Sequence, residues 1–347
     1  MQATALTAML PDVGRRWRIR RALRRRLHGL DAGDDVQRLM TQERFIAELG
    51  SGPIAPQHSV ADRNERLPPA FFEEVLGPRM STSCAWWQDR GEDLAAAEEA
   101  MLGLISERAR LRDGQRVLEL GCGWGGLALW IAERYPSSRV TTVACTEAQR
   151  DHVEDRRKRR GLTNLDVVHA DMDTFELDEH FDRVVSIEMF DRVRNYEKLM
   201  ARIARWLRPD GLLFAQMVCH RSFAYPFGND AEDGWMSRHG FAGGHMPSED
   251  LLPRYQHDCK LLVRWKVDGT QQERTARAWL ANLDARRARI QRVLLSAYGP
   301  DEADAWLTRW RTFFLACAEQ FGFRRGSEWR VCHYLFGARD GEYDNGR

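Results

Sequence analysis

A short stretch near residue 120 combines an acidic residue with closely spaced glycines. Val117–Leu120 is an apolar run that predicts a strand, Glu119 lies at its end, and Gly121, Gly123 and Gly125 follow in a turn before a predicted helix. Glycine permits positive φ and lets the backbone approach a ligand closely. The helix N-terminus behind that turn presents unpaired N–H groups and a partial positive charge. The pattern therefore predicts a site for a nucleotide-like cofactor.

Two cofactors fit this glycine loop. Gly121, Gly123 and Gly126 match the G-x-G-x-x-G pattern of dinucleotide-binding folds. With Glu119 they also match E-x-G-x-G-x-G, the loop that class I methyltransferases use for S-adenosylmethionine. The second predicted strand ends without a carboxylate to bind a ribose diol, and Glu147 already belongs to the next turn. The sequence therefore favours S-adenosylmethionine.

A carboxylate after the third predicted strand supports the same choice. Asp171 follows the apolar run 165–169 and precedes Met172. An acid at this place can accept a hydrogen bond from an adenine amino group. The alternative is that Asp171 only caps the element that follows it.

The middle of the chain alternates predicted strands with helices, which is typical of a parallel, doubly wound α/β sheet. The strands are predicted at 116–120, 139–144, 165–169, 182–187 and 211–218, and the helices at 125–134, 147–160 and 194–207. Pro209-Asp210-Gly211 predicts a turn before the fifth strand. Ligands of such sheets bind at the carboxyl ends of the strands. The side chains expected to converge there are Cys84, Glu119, Glu188 and His220.

Additions to this sheet are predicted on both sides. Residues 219–256 interrupt the alternation, as an insertion over a site does. A strand at 260–267, helices at 275–297 and 301–321 and a last strand at 328–336 follow. We therefore expect an N-terminal helical extension over 1–75, a methyltransferase domain over 76–340 with a lid at 219–256 and cap helices at 275–325, and a polar tail at 341–347.

The N-terminal segment is strongly basic. Residues 14–26 carry eight arginines, and apolar residues recur among them at helical spacing. A basic amphipathic helix either lies on an anionic membrane or packs its apolar stripe on the main domain. Residues 35–50 and 92–110 also predict helices, and the proline-containing segment 51–69 predicts a linker or an ordered loop.

Composition narrows the class of protein. The 347 residues carry a net charge of +1, so no overall field attracts nucleic acid. No apolar run approaches the length of a membrane span, and the N-terminus lacks the apolar segment of a signal peptide. The seven cysteines form no C-x-x-C pair. We therefore expect reduced thiols, no metal site, a cytoplasmic location and a small-molecule substrate, with a homodimer as one oligomeric option.

Nine segments match a known family in the same order, namely 76–80, 83–86, 97–100, 119–126, 186–190, 219–225, 243–248, 310–314 and 328–329. On these segments the chain resembles the coclaurine N-methyltransferase group of the cyclopropane-fatty-acid synthase superfamily, from about Pro53 to Phe336. The resemblance implies a Rossmann-like sheet, S-adenosylmethionine as methyl donor and a helical cap over the substrate. It places Ser83, the glycine loop, Gln149, Asp171 and Met172 around the cofactor. The family's tyrosine before that serine is Thr82 here.

The segment 188–192 departs from that family's pattern. The alkaloid N-methyltransferases read E-x-x-E-H there, and the glutamate–histidine pair removes a proton from the substrate amine. This chain keeps Glu188, has the shorter carboxylate Asp191, and has Arg192, which cannot act as a base near neutral pH. Gln216 stands where the family usually has a histidine on the fifth strand.

These changes open two interpretations of Arg192. A carboxylate with a raised pKa can accept the proton of an alkylamine, so Glu188 and Asp191 are candidate bases. A buried guanidinium beside them is expected to lower the pKa of either carboxylate. Arg192 is then predicted to bind an acidic group of the substrate through a bidentate contact. The alternative is that Arg192 only pairs with Asp191 or Glu188.

The lipid-cyclopropanating branch of the superfamily is a poorer match. Those enzymes bind bicarbonate as the base with a glutamate, a cysteine, a histidine on the fifth strand and a distal tyrosine. Cys84 fits the cysteine, but Asp191 replaces the glutamate and Gln216 replaces the histidine.

The remaining pocket residues are mostly aromatic. Their rings either attract a sulfonium or ammonium group by cation–π interaction or pack in the core. His220 lies just past the fifth strand and is a further catalytic candidate. The predicted pocket consists of Cys84, Trp86, Gln216, Phe223, Tyr225 and Phe241.

The predicted function is methyl transfer from S-adenosylmethionine to a small-molecule acceptor, first of all an amine nitrogen, on a substrate with an acidic group. Three alternatives stay open. They are C-methylation or cyclopropane formation on an alkene, a cofactor-binding homologue with another activity such as cyclisation, and a dinucleotide-dependent oxidoreductase.

Overall fold

The computed structural model describes residues 12–54, 67–227 and 244–339. Nine strands lie in these ranges, seven of them in one central sheet. They are β1 Arg116–Leu120, β2 Arg139–Ala144, β3 Leu165–His169, β4 Phe181–Ile187, β5 Leu207–His220, β6 Tyr225–Pro226, β7 His245–Met246, β8 Cys259–Val267 and β9 Trp329–Ala338. The central sheet has the order β3-β2-β1-β4-β5-β9-β8, and β6 pairs with β7 separately.

Helices pack on both faces of the central sheet. They are α1 Asp12–Leu30, α2 Asp35–Glu48, α3 Pro69–Val75, α4 Leu94–Arg108, α5 Gly126–Arg134, α6 Glu147–Arg159, α7 Tyr196–Trp206, α8 Gly269–Ala285, α9 Arg287–Tyr298 and α10 Pro300–Phe321. None of the helices in the described ranges combines the length and apolar character needed to cross a bilayer.

The direction of the strands confirms the doubly wound α/β fold with one difference. Strands β1 to β5 are parallel to their neighbours, as the alternation of strands and helices predicted. β9 is antiparallel to both β5 and β8, between which it lies. The sheet is therefore mixed, a common outcome when a late strand joins an otherwise parallel sheet.

Two predicted elements differ in detail. The single helix predicted at 275–297 is two helices, α8 and α9, because the chain leaves helical geometry at Arg286 (φ −105°, ψ 19°). The guanidinium of Arg286 donates to the carbonyl of Glu74 at 2.7 Å, which fixes this break against α3. β5 begins earlier than predicted, and the turn predicted at 209–211 lies in an irregularity where its register with β4 shifts.

The N-terminal helix α1 packs on the cap helix α10. Arg16 and Arg20 both form ion pairs with the buried carboxylate of Glu319. Arg311 of α10 binds Asp12 at 2.7 Å. The opposite side of α1 remains exposed, and Trp17 is 58% accessible. α1 therefore packs on the body of the protein, and contact of its exposed side with a membrane stays a prediction. The division of the chain at residue 75 stays a prediction, and most of the linker predicted at 51–69 lies outside the described residues.

Candidate active site

The glycine loop connects β1 to α5 and is hydrogen-bonded to the end of β2. Gly121, Gly123 and Gly125 all have positive φ, at 86°, 51° and 83°. The N–H of Gly121 donates to the carbonyl of Val143 at 3.1 Å. A Cβ atom at Gly125 would lie 2.8 Å from the Val153 side chain. The loop conformation therefore requires glycine, and it leads directly into the N-terminus of α5, where backbone N–H groups are available to a polar ligand.

A buried carboxylate lies under this loop. Glu119 is 2% accessible, and Thr142 Oγ1 donates to its Oε2 at 2.5 Å. Burial raises the pKa of Glu119 to about 7, so a cationic group brought next to it would favour its ionised form. Thr142 lies directly opposite Glu119 in the β1–β2 ladder. Thr142 was not among the predicted site residues, although the expected pairing of the two strand ends was a usable signal.

The segment before Ser83 packs on the glycine loop. A Cβ atom at Gly126 would lie 2.9 Å from the carbonyl oxygen of Arg79. The buried carboxylate of Glu98 accepts hydrogen bonds from the N–H groups of Arg79 at 2.9 Å and of Ser81 at 3.3 Å. The hydroxyls of Ser81 and Ser83 are 2.9 Å apart. Ser83 is therefore held next to the loop by a network that starts on α4.

Gln149, Asp171 and Met172 follow the neighbouring strands β2 and β3. Gln149 lies in the first turn of α6, and its Oε1 accepts from the Cys145 N–H at 3.3 Å. Asp171 Oδ1 accepts from the Asp173 N–H at 2.9 Å within the turn that follows β3. Met172 is buried. All three residues follow the carboxyl ends of strands next to β1, where the glycine loop also lies. Their contact with a cofactor stays a prediction.

Glu188 occupies the carboxyl end of β4 in an unusual conformation. Its φ is 53°, which is costly for a residue with a side chain and persists only where the surroundings fix it. Its Oε1 accepts from the Cys84 N–H at 3.3 Å and from Gln216 Nε2 at 3.2 Å. Its own N–H donates to the Gln216 carbonyl at 2.9 Å. Three distant parts of the sequence thus define one carboxylate position.

The expectation that Arg192 leaves these carboxylates with lowered pKa values is wrong. Burial, with the nearby charge of Asp191, raises the pKa of Glu188 to about 7. Burial likewise raises the pKa of Asp191 to about 6. Arg192 opposes both shifts, but its side chain is exposed and solvent weakens its effect. The burial of the carboxylates therefore outweighs the neighbouring positive charge.

Arg192 also does not form the ion pair of the alternative interpretation. Within the described residues, neither Glu188 nor Asp191 makes a hydrogen bond to its guanidinium, and its influence on both is through space. Arg192 acts in the same way on the pKa of the Cys145 thiol at the end of β2. Arg192 therefore lies beyond the carboxyl end of β4, close enough to the end of β2 to act on the Cys145 thiol.

The cap helices close over Glu188. Burial and the charge of Glu188 raise the pKa of the Cys317 thiol on α10 to about 12, and they also raise the pKa of the Cys84 thiol. Thr275 Oγ1 on α8 accepts from the Ala85 N–H at 3.1 Å and from Trp87 Nε1 at 3.0 Å. The cap therefore fixes the segment that carries Cys84. Thr275 and Cys317 carry no local sequence signal, because both contacts depend on how the cap packs.

His220 belongs to a separate cluster. It lies four residues beyond Gln216 on β5, a distance of about 13 Å along the strand. Its Nδ1 accepts from the N–H groups of Ser222 and Phe223 at 3.1 and 2.9 Å, and its Nε2 lies 3.7 Å from a carboxylate oxygen of Glu328. Burial and nearby arginines lower the pKa of His220 to about 4. The structure thus places this imidazole, uncharged at neutral pH, away from Glu188.

The predicted aromatic pocket residues divide between these clusters. The Phe223 ring stacks on His220 with 5.3 Å between ring centroids, and Tyr225 accepts from Trp329 Nε1 at 2.9 Å. Trp86 is half-buried, and its N–H donates to the Ala97 carbonyl at 3.0 Å. Phe241 lies outside the described residues. In the described ranges, no group of three or more His, Cys, Asp and Glu side chains is arranged to hold a metal ion.

Comparison with known proteins places this site in a family. The model of the mycolic acid cyclopropane synthetase family matches residues 62–330. An (S)-coclaurine N-methyltransferase of Thalictrum flavum subsp. glaucum is 36% identical over 279 residues, which cover 79% of this chain and 77% of that protein. A cyclopropane-fatty-acyl-phospholipid synthase of Escherichia coli (strain K12) is 31% identical over 267 residues, covering 75% of this chain and 64% of that enzyme.

A solved structure extends the likeness to the whole fold. A crystal structure of coclaurine N-methyltransferase bound to N-methylheliamine and SAH superposes with a TM-score of 0.92 at 32% identity. The match covers 97% of this chain and 99% of that one. It confirms the predicted fold and S-adenosylmethionine as the cofactor. The chain therefore belongs to the mycolic acid cyclopropane synthetase family and is an S-adenosylmethionine-dependent methyltransferase.

Proposed function

We propose that this enzyme methylates the nitrogen of a small-molecule amine and that Glu188 accepts the proton of the amine. The observation that carries the proposal is the half-buried carboxylate of Glu188, which is oriented by Cys84 and Gln216 and has a pKa raised to about 7. A base works best when its pKa lies close to the working pH. The similarity to N-methyltransferases supports an amine as the acceptor.

S-adenosylmethionine, when bound, supplies an electrophilic methyl group on a sulfonium. The glycine loop and Glu119 would hold it. An alkylammonium has no free lone pair, so the amine becomes a nucleophile only when a nearby group takes its proton. Glu188 performs this step, and the charge of Asp191 helps to keep its pKa high. The further residues assigned to the cofactor are Ser83, Gly121, Gly123, Gly125, Gln149, Asp171 and Met172.

His220 receives a positioning role in this proposal. Its Nδ1 accepts from two backbone N–H groups of the segment after β5, so its imidazole fixes the start of that segment. Phe223 stacks on the ring and Tyr225 lies close by. His220 therefore shapes the region next to the substrate without taking a proton itself.

Arg192 supports a finer proposal about the acceptor, namely that it carries an acidic group. The guanidinium is exposed and, among the described residues, makes no hydrogen bond to Glu188 or Asp191. It is therefore available to a carboxylate or phosphate of the substrate, which a guanidinium binds in a bidentate manner.

Transfer of an isotope-labelled methyl group tests both proposals. Purified enzyme is given labelled cofactor with tetrahydroisoquinolines, with the same amines bearing a carboxylate, and with unsaturated phospholipid. We expect label on the amine nitrogen, and a loss of about 10²- to 10⁴-fold in the Glu188→Gln variant at unchanged cofactor affinity. The exposed residue Glu197 provides the matched control, Glu197→Gln, which should keep full activity.

The same assay separates the alternatives. Label in a cyclopropane ring or on an alkene carbon, with none on amines, would replace amine methylation by the lipid reaction. Conversion of a substrate without release of S-adenosylhomocysteine would identify a non-methylating homologue. The ratio of the methylation rates of the plain and the carboxylated amines is compared between Arg192→Gln and the unaltered enzyme. An unchanged ratio would show that Arg192 does not bind the acidic group.

The exposed side of α1 supports a peripheral membrane contact. Trp17 is largely exposed, and Arg21, Arg24 and His28 follow it along the same face of the helix. Such a face is complementary to an anionic lipid surface. Flotation with vesicles of phosphatidylglycerol and phosphatidylcholine tests the contact, and Arg21→Glu with Arg24→Glu should abolish it. Equal flotation with neutral vesicles would argue against it.

The compartment and the oligomeric state are further proposals. All seven cysteines are free, which supports a reducing, cytoplasmic environment. A homodimer is supported by three apolar side chains that are exposed together on α2, namely Val36, Leu39 and Met40. Light scattering of the unaltered enzyme and of Leu39→Glu tests the dimer, and a monomer mass for the unaltered enzyme would exclude it.

A further inference from the structure

Gln216 and His333 face each other across the β5–β9 ladder. They are direct partners in the antiparallel register, so their side chains lie on the same face of the sheet with Cβ atoms about 4.5–5.5 Å apart. Both side chains are completely buried. Gln216 Oε1 and His333 Nε2 are both buried atoms without a hydrogen-bond partner among the described residues. Two opposed, buried polar atoms of this kind call for a physical explanation.

The tautomer of His333 follows from its other contact. Arg108 Nη1 on α4 lies 2.9 Å from His333 Nδ1. A guanidinium only donates hydrogen bonds, so Nδ1 accepts and the proton of the neutral imidazole is on Nε2. Burial and Arg108 lower the pKa of His333, which keeps the ring neutral. His333 Nε2 is therefore a donor and Gln216 Oε1 an acceptor, and the two orphaned atoms are complementary.

The other end of Gln216 contacts the proposed base. Gln216 Nε2 donates to Glu188 Oε1 at 3.2 Å. If the amide rotated by half a turn, its carbonyl oxygen would face the carboxylate, and a proton would then be needed on Glu188 to make the contact favourable. The orientation of the Gln216 amide therefore decides whether β5 stabilises the charged or the protonated form of Glu188.

We infer that His333 is a positioning residue of the methyl-transfer site: its Nε2–H binds Gln216 Oε1, directly or through one water, and so locks the Gln216 amide with its N–H groups toward Glu188. In this series of hydrogen bonds each residue donates to the next, from Arg108 through His333 and Gln216 to Glu188. The ring is held by edge contact with Phe214 at 5.1 Å, and Arg108 lies over Trp265 at 5.1 Å.

This inference rests on the proposed function, since it assigns Glu188 as the base. Other groups also act on Glu188 and stay unaltered in the test. They are Asp191 and Arg192 on the turn after β4, Cys84 on the segment before α4, and Cys317 on α10. The group that faces His333 is Arg108.

The pH dependence of kcat/KM for methyl transfer tests the inference. In His333→Leu the acid limb should move up by at least half a pH unit, with a several-fold loss at pH 7 that largely recovers at pH 9 and with unchanged affinity for S-adenosylmethionine. His333→Gln, which can accept and donate at once, should restore the profile of the unaltered enzyme. Cys332→Ala is the matched control, because Cys332 is the adjacent buried residue of β9 and packs on the opposite face.

A second variant covers the case in which His333→Leu does not fold. Arg108→Met removes the donor that fixes the tautomer and should move the acid limb in the same direction by a smaller amount. An unshifted limb in both His333→Leu and Arg108→Met, with Glu188→Gln inactive, would overturn the role of His333 and leave the proposed function standing. Full activity of Glu188→Gln would instead overturn the proposed function itself.

Discussion

Glu188 and Gln216 contact each other twice. The Gln216 carbonyl accepts the Glu188 N–H at 2.9 Å, and the Gln216 amide donates to Glu188 Oε1 at 3.2 Å. The backbone contact extends the β4–β5 ladder past its last regular pair and holds Glu188 at positive φ. One residue of β5 thus fixes both the conformation of Glu188 and the surroundings of its carboxylate.

Replacing Gln216 by leucine should make Glu188 harder to ionise. The amide hydrogen bond lowers the pKa of Glu188, so its loss moves that pKa upward. The acid limb of kcat/KM should shift to higher pH. For a shift of one pKa unit, activity at pH 7 should fall about fivefold, because the ionised fraction of Glu188 drops from about one half to about one eleventh. Gln216→Asn, whose shorter side chain keeps the amide, is the control. An acid limb that stays in place in Gln216→Leu would contradict this effect.

The burial of Glu188 should also appear in the pH dependence of stability. Its pKa is about 7 in the folded enzyme against the ordinary 4.5, so the folded state binds this proton more tightly than the unfolded chain. The linked stability is fully present below pH 4.5 and is lost as the pH rises through about 7. The free energy of unfolding is measured in urea at pH 5 and pH 8 for Glu188→Gln and for the unaltered enzyme. The difference between the two proteins should shift in favour of Glu188→Gln from pH 5 to pH 8, by about 1–3 kcal/mol. The same difference at both pH values would show that Glu188 titrates normally.

A substitution in the glycine loop should weaken both folding and cofactor binding. Gly125 has φ 83°, and an added Cβ would contact Val153 at 2.8 Å. Gly125→Ala should lower the free energy of unfolding by about 1–3 kcal/mol and weaken the binding of S-adenosylmethionine in calorimetry. Gly103→Ala is the control, since Gly103 is exposed on α4 with nothing within 4 Å of an added Cβ. That variant should gain about 0.5–1 kcal/mol and bind the cofactor normally.

The contact of Thr275 with the segment 85–87 should matter for the acceptor more than for the cofactor. Thr275→Val leaves the N–H of Ala85 and Nε1 of Trp87 without their acceptor, at a cost of about 1–3 kcal/mol in unfolding free energy. The loosened segment carries Cys84, which binds Glu188, so KM for the amine should rise while the affinity for S-adenosylmethionine changes little. Thr275→Ser, which keeps the hydroxyl, should behave as the unaltered enzyme. A larger effect on cofactor affinity than on KM would place Thr275 in a different role.

Local features of the sequence predicted the sheet and the cofactor. Apolar runs bounded by turns predicted the parallel strands with nearly the observed bounds. The spacing of Gly121, Gly123 and Gly125 predicted the loop that binds the methyl donor. Such features can be predicted from the sequence because a strand face and a positive φ depend on only a few adjacent residues. The antiparallel insertion of β9 and the break at Arg286 were not predicted, because both depend on contacts with distant elements.

The sequence by itself determined that this protein is built to bind S-adenosylmethionine, since Glu119, the glycine loop and the missing carboxylate after the second predicted strand all belong to short segments. Only the tertiary structure decided the chemistry of Glu188. Its partners come from the segment before α4, from β5 and from α10, and its raised pKa comes from burial that these elements create together. For the same reason the lowering effect of the exposed Arg192 on that pKa is outweighed. Charge and residue type are local, whereas desolvation belongs to the packed fold.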